Sequence, residues 1–137
     1  MYIIRKKFKF EMAHQLSSAY SASCKNCIHG HSYILEVFFR SPGLNTDGMV
    51  IDFKLVKDKC SDFIQSWDHA LVMPSDFSKE YLDILKKYNK KLIITSYNPT
   101  AEKMAKDIFD RIHDQIPECY KVRLHESETG YAEYEQN

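Results

Sequence analysis

The sequence predicts an α+β domain in which a four-stranded antiparallel sheet carries two helices on one face. Residues 2–14, 31–40 and 120–124 alternate apolar and polar side chains, which is typical of half-buried strands, and a shorter strand is expected at 130–134. Between the second and third strands, apolar residues recur at helical spacing over 56–67 and 101–112. The predicted order β-β-α-α-β-β, with runs of strands and helices kept apart, favours helices segregated to one face.

Composition limits the classes of function. The chain of 137 residues is long enough for one domain, 1–137, with its own core. Its 19 basic and 19 acidic side chains balance, so no overall field attracts nucleic acid or an anionic membrane. No segment approaches the roughly 20 apolar residues that span a bilayer, and the N-terminal segment lacks a secretory pattern. We expect a cytoplasmic protein, without nucleic-acid or membrane partners, whose four cysteines stay reduced.

The first two strands each meet a histidine at one end. Even-numbered positions from Tyr2 to Met12 are mostly apolar, and His14 continues their parity just past the last of them. On this strand alone, a core histidine bonded to a backbone carbonyl is the simpler interpretation. His31 extends the apolar face of the second strand in the same way. Residues 15–28 between the strands are rich in Ser, Ala and Asn and are predicted to form a loop.

The region between the paired strands carries two helices and smaller elements. The Asp68-His69 pair follows the end of the first helix, and the second begins at Asn98-Pro99-Thr100, with Asn98 or Thr100 as its cap. A short helix at 81–88 and a brief strand at 91–95 are expected between them. In the third alternating strand, Glu126 lies on the apolar parity at the strand end.

Histidines at the ends of neighbouring strands predict a metal site. His29 and His31 face the same side of a strand because one residue separates them, and His14 reaches the same sheet end if the two strands are neighbours. Three protein ligands with an open fourth position characterise catalytic zinc. The Cys24–Cys27 spacing leaves a closed structural zinc site with two histidines as a second interpretation. In a third, one cysteine is a base or nucleophile. A redox pair is less favoured, because the motif is not predicted to open a helix.

Two acidic residues are also candidates. Glu126 on an apolar face needs a partner, and the paired N–H groups of a guanidine-like heterocycle edge would satisfy its carboxylate. A solvated strand end is the alternative. The adjacent Asp68 and His69 would need a third partner to orient the imidazole; otherwise they are an accidental surface pair. His113 and His125 are expected to be surface residues.

Six motifs follow one another over nearly the whole chain. They are Met12-Ala13-His14, Cys24 with His29-Gly30-His31-Ser32-Tyr33, Met49-Val50-Ile51-Asp52-Phe53, Asp68-His69, Pro99-Thr100-Ala101-Glu102, and His125-Glu126 with Gly130-Tyr131-Ala132-Glu133-Tyr134. In this order they resemble the 6-pyruvoyltetrahydropterin synthase/6-carboxytetrahydropterin synthase family. The resemblance implies a tunnelling fold (T-fold) whose subunits form trimers that usually stack as homohexamers, with active sites between subunits.

The resemblance also implies roles for individual residues. The implied Zn²⁺ ligands are His14, His29 and His31, and the implied catalytic residues are Cys24, Asp68, His69 and Glu126. The cysteine would accept a proton, and the Asp–His relay can come from a neighbouring subunit. Glu126 would anchor the pterin ring and is counted with the relay. Thr100 corresponds to a position near the pterin.

The cysteine position departs from the family pattern. By resemblance it lies four residues before the first paired histidine in carboxy enzymes and six before it in pyruvoyl enzymes, positions that Lys25 and Ser23 occupy here. Cys24 lies five before His29, and Cys27 lies two before it. We assign the catalytic role to Cys24, because Cys27 is tethered too closely to a metal ligand to swing over a substrate.

The resemblance therefore predicts a zinc-dependent lyase acting on 7,8-dihydroneopterin triphosphate. The expected products are 6-carboxy-5,6,7,8-tetrahydropterin, triphosphate and acetaldehyde, a step towards queuosine. The alternative within the family is a 6-pyruvoyltetrahydropterin synthase acting on the same substrate. The alternative of another class is a non-catalytic zinc-binding module with a Cys₂His₂ structural site.

Overall fold

The computed structural model describes residues 1–137 and places all strands in one sheet. The elements are β1 (Tyr2–His14), α1 (Ala22–Asn26), β2 (His29–Ser41), α2 (Phe53–Trp67), β3 (Ala70–Pro74), α3 (Lys79–Tyr88), β4 (Leu92–Thr95), α4 (Ala101–Gln115), β5 (Cys119–His125) and β6 (Tyr131–Glu135). The strand order is β4-β3-β1-β2-β5-β6. None of the helices is long and apolar enough to cross a membrane.

The predicted antiparallel unit is present, but the sheet is larger than expected. β1, β2, β5 and β6 pair antiparallel in sequence order, as the alternation predicts. The expected sheet of four strands is too small, because β3 and β4 add a parallel extension beside β1. Of these two, β4 is the brief strand expected at 91–95, and β3 was not predicted. All five residues of β3 are buried, so this strand lacks the polar positions that reveal a half-buried strand.

Two short helices accompany the two long ones, and only one of them was expected. The short helix expected at 81–88 is α3, and its N-cap Ser78 accepts a hydrogen bond from the Tyr81 N–H. The short helix α1 lies within the segment predicted to be a loop, and none of its residues is buried. An element without a buried face leaves no hydrophobic periodicity in the sequence, so its helical conformation was missed.

The main core lies between the sheet and the helices α2 and α4. β2 contributes Tyr33, Leu35, Val37 and Phe39, each at most 1% exposed. The helices cover these side chains with the apolar stripes that the sequence predicts. Thr100 caps α4 by accepting a hydrogen bond from the Lys103 N–H. Asn98, the other candidate cap, instead binds the chain that leaves β1.

The opposite face of the sheet buries a charged cluster around Glu36. Its carboxylate pairs with Arg5 and Arg123, and the His125 Nε2 donates to it over 2.8 Å. The expectation that His125 is a surface residue without supporting neighbours is therefore wrong. Burial by itself raises the pKa of Glu36, but hydrogen bonds from His125 and Arg5, with the charge of Arg123, lower it from 4.5 to about 2.

A carboxyl pKa lowered by folding stabilises the native state above its ordinary pKa, and this contribution disappears as pH falls from about 4.5 towards about 2. Glu36→Gln should lower the free energy of unfolding by about 2 kcal/mol at pH 7, because charge-assisted hydrogen bonds are lost. The difference from wild type should shrink towards pH 2. Urea unfolding across this range measures it, with Glu128→Gln as an exposed control. A constant offset at every pH would contradict this account.

Candidate metal centre and active site

The pairing of β1 with β2 brings three histidines to one end of the sheet. The register places His14, the last residue of β1, opposite His29, the first residue of β2. Met12 lies opposite His31. Because side chains alternate along a strand, His29 and His31 then project to the same side as His14. The convergence predicted from the two strand ends is present.

The three imidazoles form a compact group. Their candidate ligand atoms all lie within 4.8 Å of one another. The Nε2 atoms of His14 and His29 are 3.0 Å apart. For comparison, two nitrogen ligands of a tetrahedral zinc ion at its usual bond length lie about 3.3 Å apart. The group is therefore close to the arrangement that a metal ion requires.

Backbone carbonyls determine which nitrogen faces the centre. The His14 Nδ1 lies 2.8 Å from the Pro99 carbonyl oxygen, and the His29 Nδ1 lies 3.1 Å from that of Cys27. A carbonyl only accepts, so both Nδ1 atoms carry the hydrogen and both neutral rings turn an Nε2 lone pair inward. Two lone pairs at 3.0 Å repel each other unless a cation lies between them.

His31 supplies the second indication of a cation. Its Nε2 is buried and has no hydrogen-bond partner within the protein. Buried polar atoms are nearly always paired, so an orphaned ring nitrogen beside two inward lone pairs fits a ligand set for a divalent ion. These residues fit the metal that the sequence predicts.

Burial keeps His14 and His31 neutral. It lowers the pKa of His14 to about 4, against the opposing effect of the Pro99 carbonyl, and the neighbouring imidazoles lower it further. Burial also lowers the pKa of His31, while the Glu126 carboxylate opposes that shift. Neutral imidazole is the form that binds metals, so the environment prepares these rings as ligands at neutral pH.

Glu126 connects the histidines to a cavity. One oxygen of its carboxylate, Oε1, lies 3.3 Å from the His14 Nε2 and 3.5 Å from the His31 Nε2. The carboxylate also lines a cavity of about 310 Å³ together with Thr100, Leu16 and Tyr131. Pockets for small molecules begin at about this volume. The structure thus brings Glu126 and Thr100 to one cavity beside the histidines.

The two cysteines stand apart from the group of close ligand atoms. Cys24 lies within α1 and is partly buried, whereas Cys27 follows the helix and is exposed. The group of close ligand atoms that could hold a metal contains the three histidines and neither cysteine. The geometry gives no support to a closed Cys₂His₂ site.

Asp68 and His69 form a pair on the far side of β1. The Glu11 N–H donates to the Asp68 carboxylate over 2.8 Å, and the other Asp68 oxygen lies 3.1 Å from the His69 Nδ1. The Glu11 hydrogen bond, together with His69, holds the pKa of Asp68 below its ordinary value against the effect of burial. His69 lies beside Glu11 and Ala13, which belong to the parity opposite His14.

The backbone at His69 is also unusual. His69 is the only residue other than glycine with a positive φ, 61°, a region that costs an ordinary side chain about 1–2 kcal/mol. Its side chain is 73% exposed and makes no hydrogen bond to the three site histidines of its own chain. The conformation therefore presents a carboxylate-oriented imidazole to solvent.

Two contributions to the site were missed by sequence reasoning. The Pro99 carbonyl that orients His14 has no side-chain signature, and it lies 85 residues away in the chain. The side-chain oxygen of Asn98 accepts from the Ser17 N–H, and its amide group donates to the Ser18 carbonyl. Its identity suggested only a helix cap, so the tertiary contact was not visible locally.

Comparisons with known proteins agree with this architecture. A family model described as 6-pyruvoyl tetrahydropterin synthase matches residues 3–137. Two relatives are named 6-carboxy-5,6,7,8-tetrahydropterin synthase. The one from Haemophilus influenzae is 35% identical, over 99% of this chain and 100% of its own. The one from Helicobacter pylori is 30% identical, over 96% of this chain and 71% of its own.

Solved structures show the same fold. An uncharacterized protein from Wolinella succinogenes has a TM-score of 0.83 at 18% identity, over 99% of this chain and 98% of its own. The 6-pyruvoyl tetrahydropterin synthase of Caenorhabditis elegans has a TM-score of 0.72 at 23% identity, over 99% of this chain and 96% of its own. The tunnelling fold implied by the sequence is thereby confirmed. The chain belongs to the 6-pyruvoyl tetrahydropterin synthase family.

Proposed function

We propose that the protein is a zinc-dependent lyase that converts 7,8-dihydroneopterin triphosphate into 6-carboxy-5,6,7,8-tetrahydropterin. Triphosphate and acetaldehyde leave, and water supplies the second carboxylate oxygen. Relatives that align over nearly the whole chain carry the name of this product. The observation that carries the proposal is the set of inward-facing imidazoles beside a cavity that contains Glu126.

The metal site would be formed by His14, His29 and His31. Zinc bound by these three neutral imidazoles would supply Lewis-acid chemistry, which would polarise a substrate oxygen and acidify the adjacent C–H bond. The Pro99 and Cys27 carbonyls hold two of these rings in the required tautomer. Such contacts orient ligands and raise their basicity.

Glu126 would orient the substrate. A pterin presents neighbouring N–H groups along one edge, and a carboxylate accepts two parallel hydrogen bonds from such an edge. Glu126 lies within 3.5 Å of the Nε2 atoms of His14 and His31, so it connects the cavity to the proposed metal site. Thr100 lines the same cavity.

Cys24 would accept the proton from the acidified carbon, and His69 would return a proton later in the reaction. Asp68 holds the His69 ring by its Nδ1, which leaves Nε2 free for transfer. Since His69 points outward from its own subunit, we propose that it serves the site of a neighbouring copy. This arrangement requires a homo-oligomer, which we propose to be a hexamer built as a dimer of trimers.

Removing each cysteine separates the two roles proposed for the Cys24–Cys27 pair. Cys24→Ser should lower kcat by about 10²-fold or more, because a hydroxyl is a poor proton acceptor at neutral pH. Cys27→Ser should keep most activity and is the matched control. Both variants should retain bound zinc, measured by elemental mass spectrometry. Loss of zinc from both would instead favour the structural Cys₂His₂ module.

The product distinguishes the proposed activity from its alternative within the family. The family model is named for the pyruvoyl enzyme, and Cys24 lies between the two family spacings, so a 6-pyruvoyltetrahydropterin synthase is the second candidate. Mass spectrometry of a reaction with 7,8-dihydroneopterin triphosphate should show the carboxy product with stoichiometric acetaldehyde. An intact pyruvoyl side chain without acetaldehyde would reject the carboxy assignment.

Complementation tests the shared site. Cys24→Ser and His69→Ala chains, each inactive alone, should regain roughly a quarter of wild-type activity when co-expressed in equal amounts, because random assembly pairs two intact residues at about one site in four. The control mixture combines Cys24→Ser with the Cys24→Ser/His69→Ala double variant and should stay inactive. A first mixture no more active than this control would place both residues in one subunit's site.

A further inference from the structure

The chain that leaves β1 holds the helix that carries Cys24. The Gln15 side-chain amide donates from Nε2 to the Lys25 carbonyl over 3.0 Å. The next residue, Leu16, donates its backbone N–H to the Cys24 carbonyl over 3.1 Å. Two consecutive residues therefore bind two consecutive carbonyls of α1, and Gln15 directly follows the metal-site residue His14.

The helix α1 depends on these contacts for its position. It has five residues, none of them buried, and its N-cap Ser21 makes no side-chain capping bond. So short a helix is unstable by itself, and its last carbonyls have no partner within the helix. The two hydrogen bonds from Gln15 and Leu16 supply those partners and fix the position of Cys24 relative to the end of β1.

Tyr81 of α3 fixes the orientation of the Gln15 amide. Its hydroxyl donates to the Gln15 Oε1 over 2.5 Å. With the oxygen so occupied, the amide nitrogen faces Lys25; a flipped amide would set two acceptor oxygens against each other. The Tyr81 ring packs on Phe77 at 5.4 Å between centroids, and Gln15 is only 6% exposed. The chain of contacts from α3 to α1 is thus enclosed and defined.

We propose that Gln15 and Tyr81 are positioning residues for the proton acceptor Cys24. They act through the backbone of α1 and fix the position of this helix relative to the proposed metal site. This inference rests on the role proposed above for Cys24. It gives α3, which contributes no residue to the histidine group or its cavity, a part in the reaction.

Tyr81→Phe removes the hydroxyl and keeps the ring packing. Its kcat should fall about tenfold, because small misplacements of a reacting group are costly, while KM stays within about twofold. Gln15→Glu keeps the acceptor for Tyr81 but removes the donor to Lys25, so it should lower kcat at least as much. Zinc content should be unchanged in both. Tyr2→Phe, at the other end of β1 and without a hydroxyl partner, is the control.

Thiol alkylation tests the positioning without reference to the reaction. In a Cys27→Ser background, Cys24 is the reactive thiol, because Cys60 and Cys119 are at most 2% exposed. Iodoacetamide should modify Cys24 several-fold faster when Tyr81→Phe or Gln15→Glu is added, since α1 is released. The proposal would be overturned if the alkylation rate and kcat were both unchanged in both variants. The same holds if the variants had a lower Tm but an unchanged alkylation rate and kcat, because the contacts would then serve stability alone. If the Cys24→Ser variant stays active, the catalytic role of Cys24 is refuted. If alkylation of Cys24 in the Cys27→Ser parent nevertheless depends on Tyr81, the contact network still holds.

Discussion

The antiparallel register between β1 and β2 is the constraint on which the site depends. It sets His14 opposite His29 at the point where one strand ends and the other begins. A slip by one residue would turn every side chain of a strand to the other face and send its histidine away from the group. The buried apolar faces of both strands prevent such a slip, because it would expose Phe10 and Met12. The packing of the core therefore also holds the ligand geometry.

The inward-facing imidazole nitrogens repel one another electrostatically, and a bound cation would remove this repulsion. Burial disfavours protonation of His14 and His31, and the Pro99 and Cys27 carbonyls fix the Nδ1–H tautomers of His14 and His29, so two Nε2 lone pairs meet at 3.0 Å. A metal ion that binds only the folded arrangement adds its binding free energy to the stability of the fold. The inward-facing lone pairs thus cause the repulsion among the histidines and would also provide the affinity for a metal.

The segment Asn98-Pro99-Thr100 serves three neighbouring functions. Asn98 binds the chain after β1, the Pro99 carbonyl orients His14, and Thr100 caps α4 while lining the cavity. Helix α4 is therefore connected to the histidine group through the residues that immediately precede it. The parallel strands on the other side of β1 place Asp68 and His69 facing outward, so the two halves of the proposed machinery lie on opposite faces of one strand.

The sequence by itself determined the four antiparallel strands, the two long helices and the positions of His14, His31 and Glu126 at strand ends. These features depend on local periodicity, which side-chain identity records directly. Only the tertiary structure decided the β1–β2 register, the strand β3 and its parallel pairing, the helix around Cys24 and the outward direction of His69. The reason is that these features depend on long-range backbone contacts, such as the carbonyl of Pro99 and the N–H of Glu11. Every residue type but proline offers the same N–H and every residue the same carbonyl, so the sequence does not reveal which ones meet.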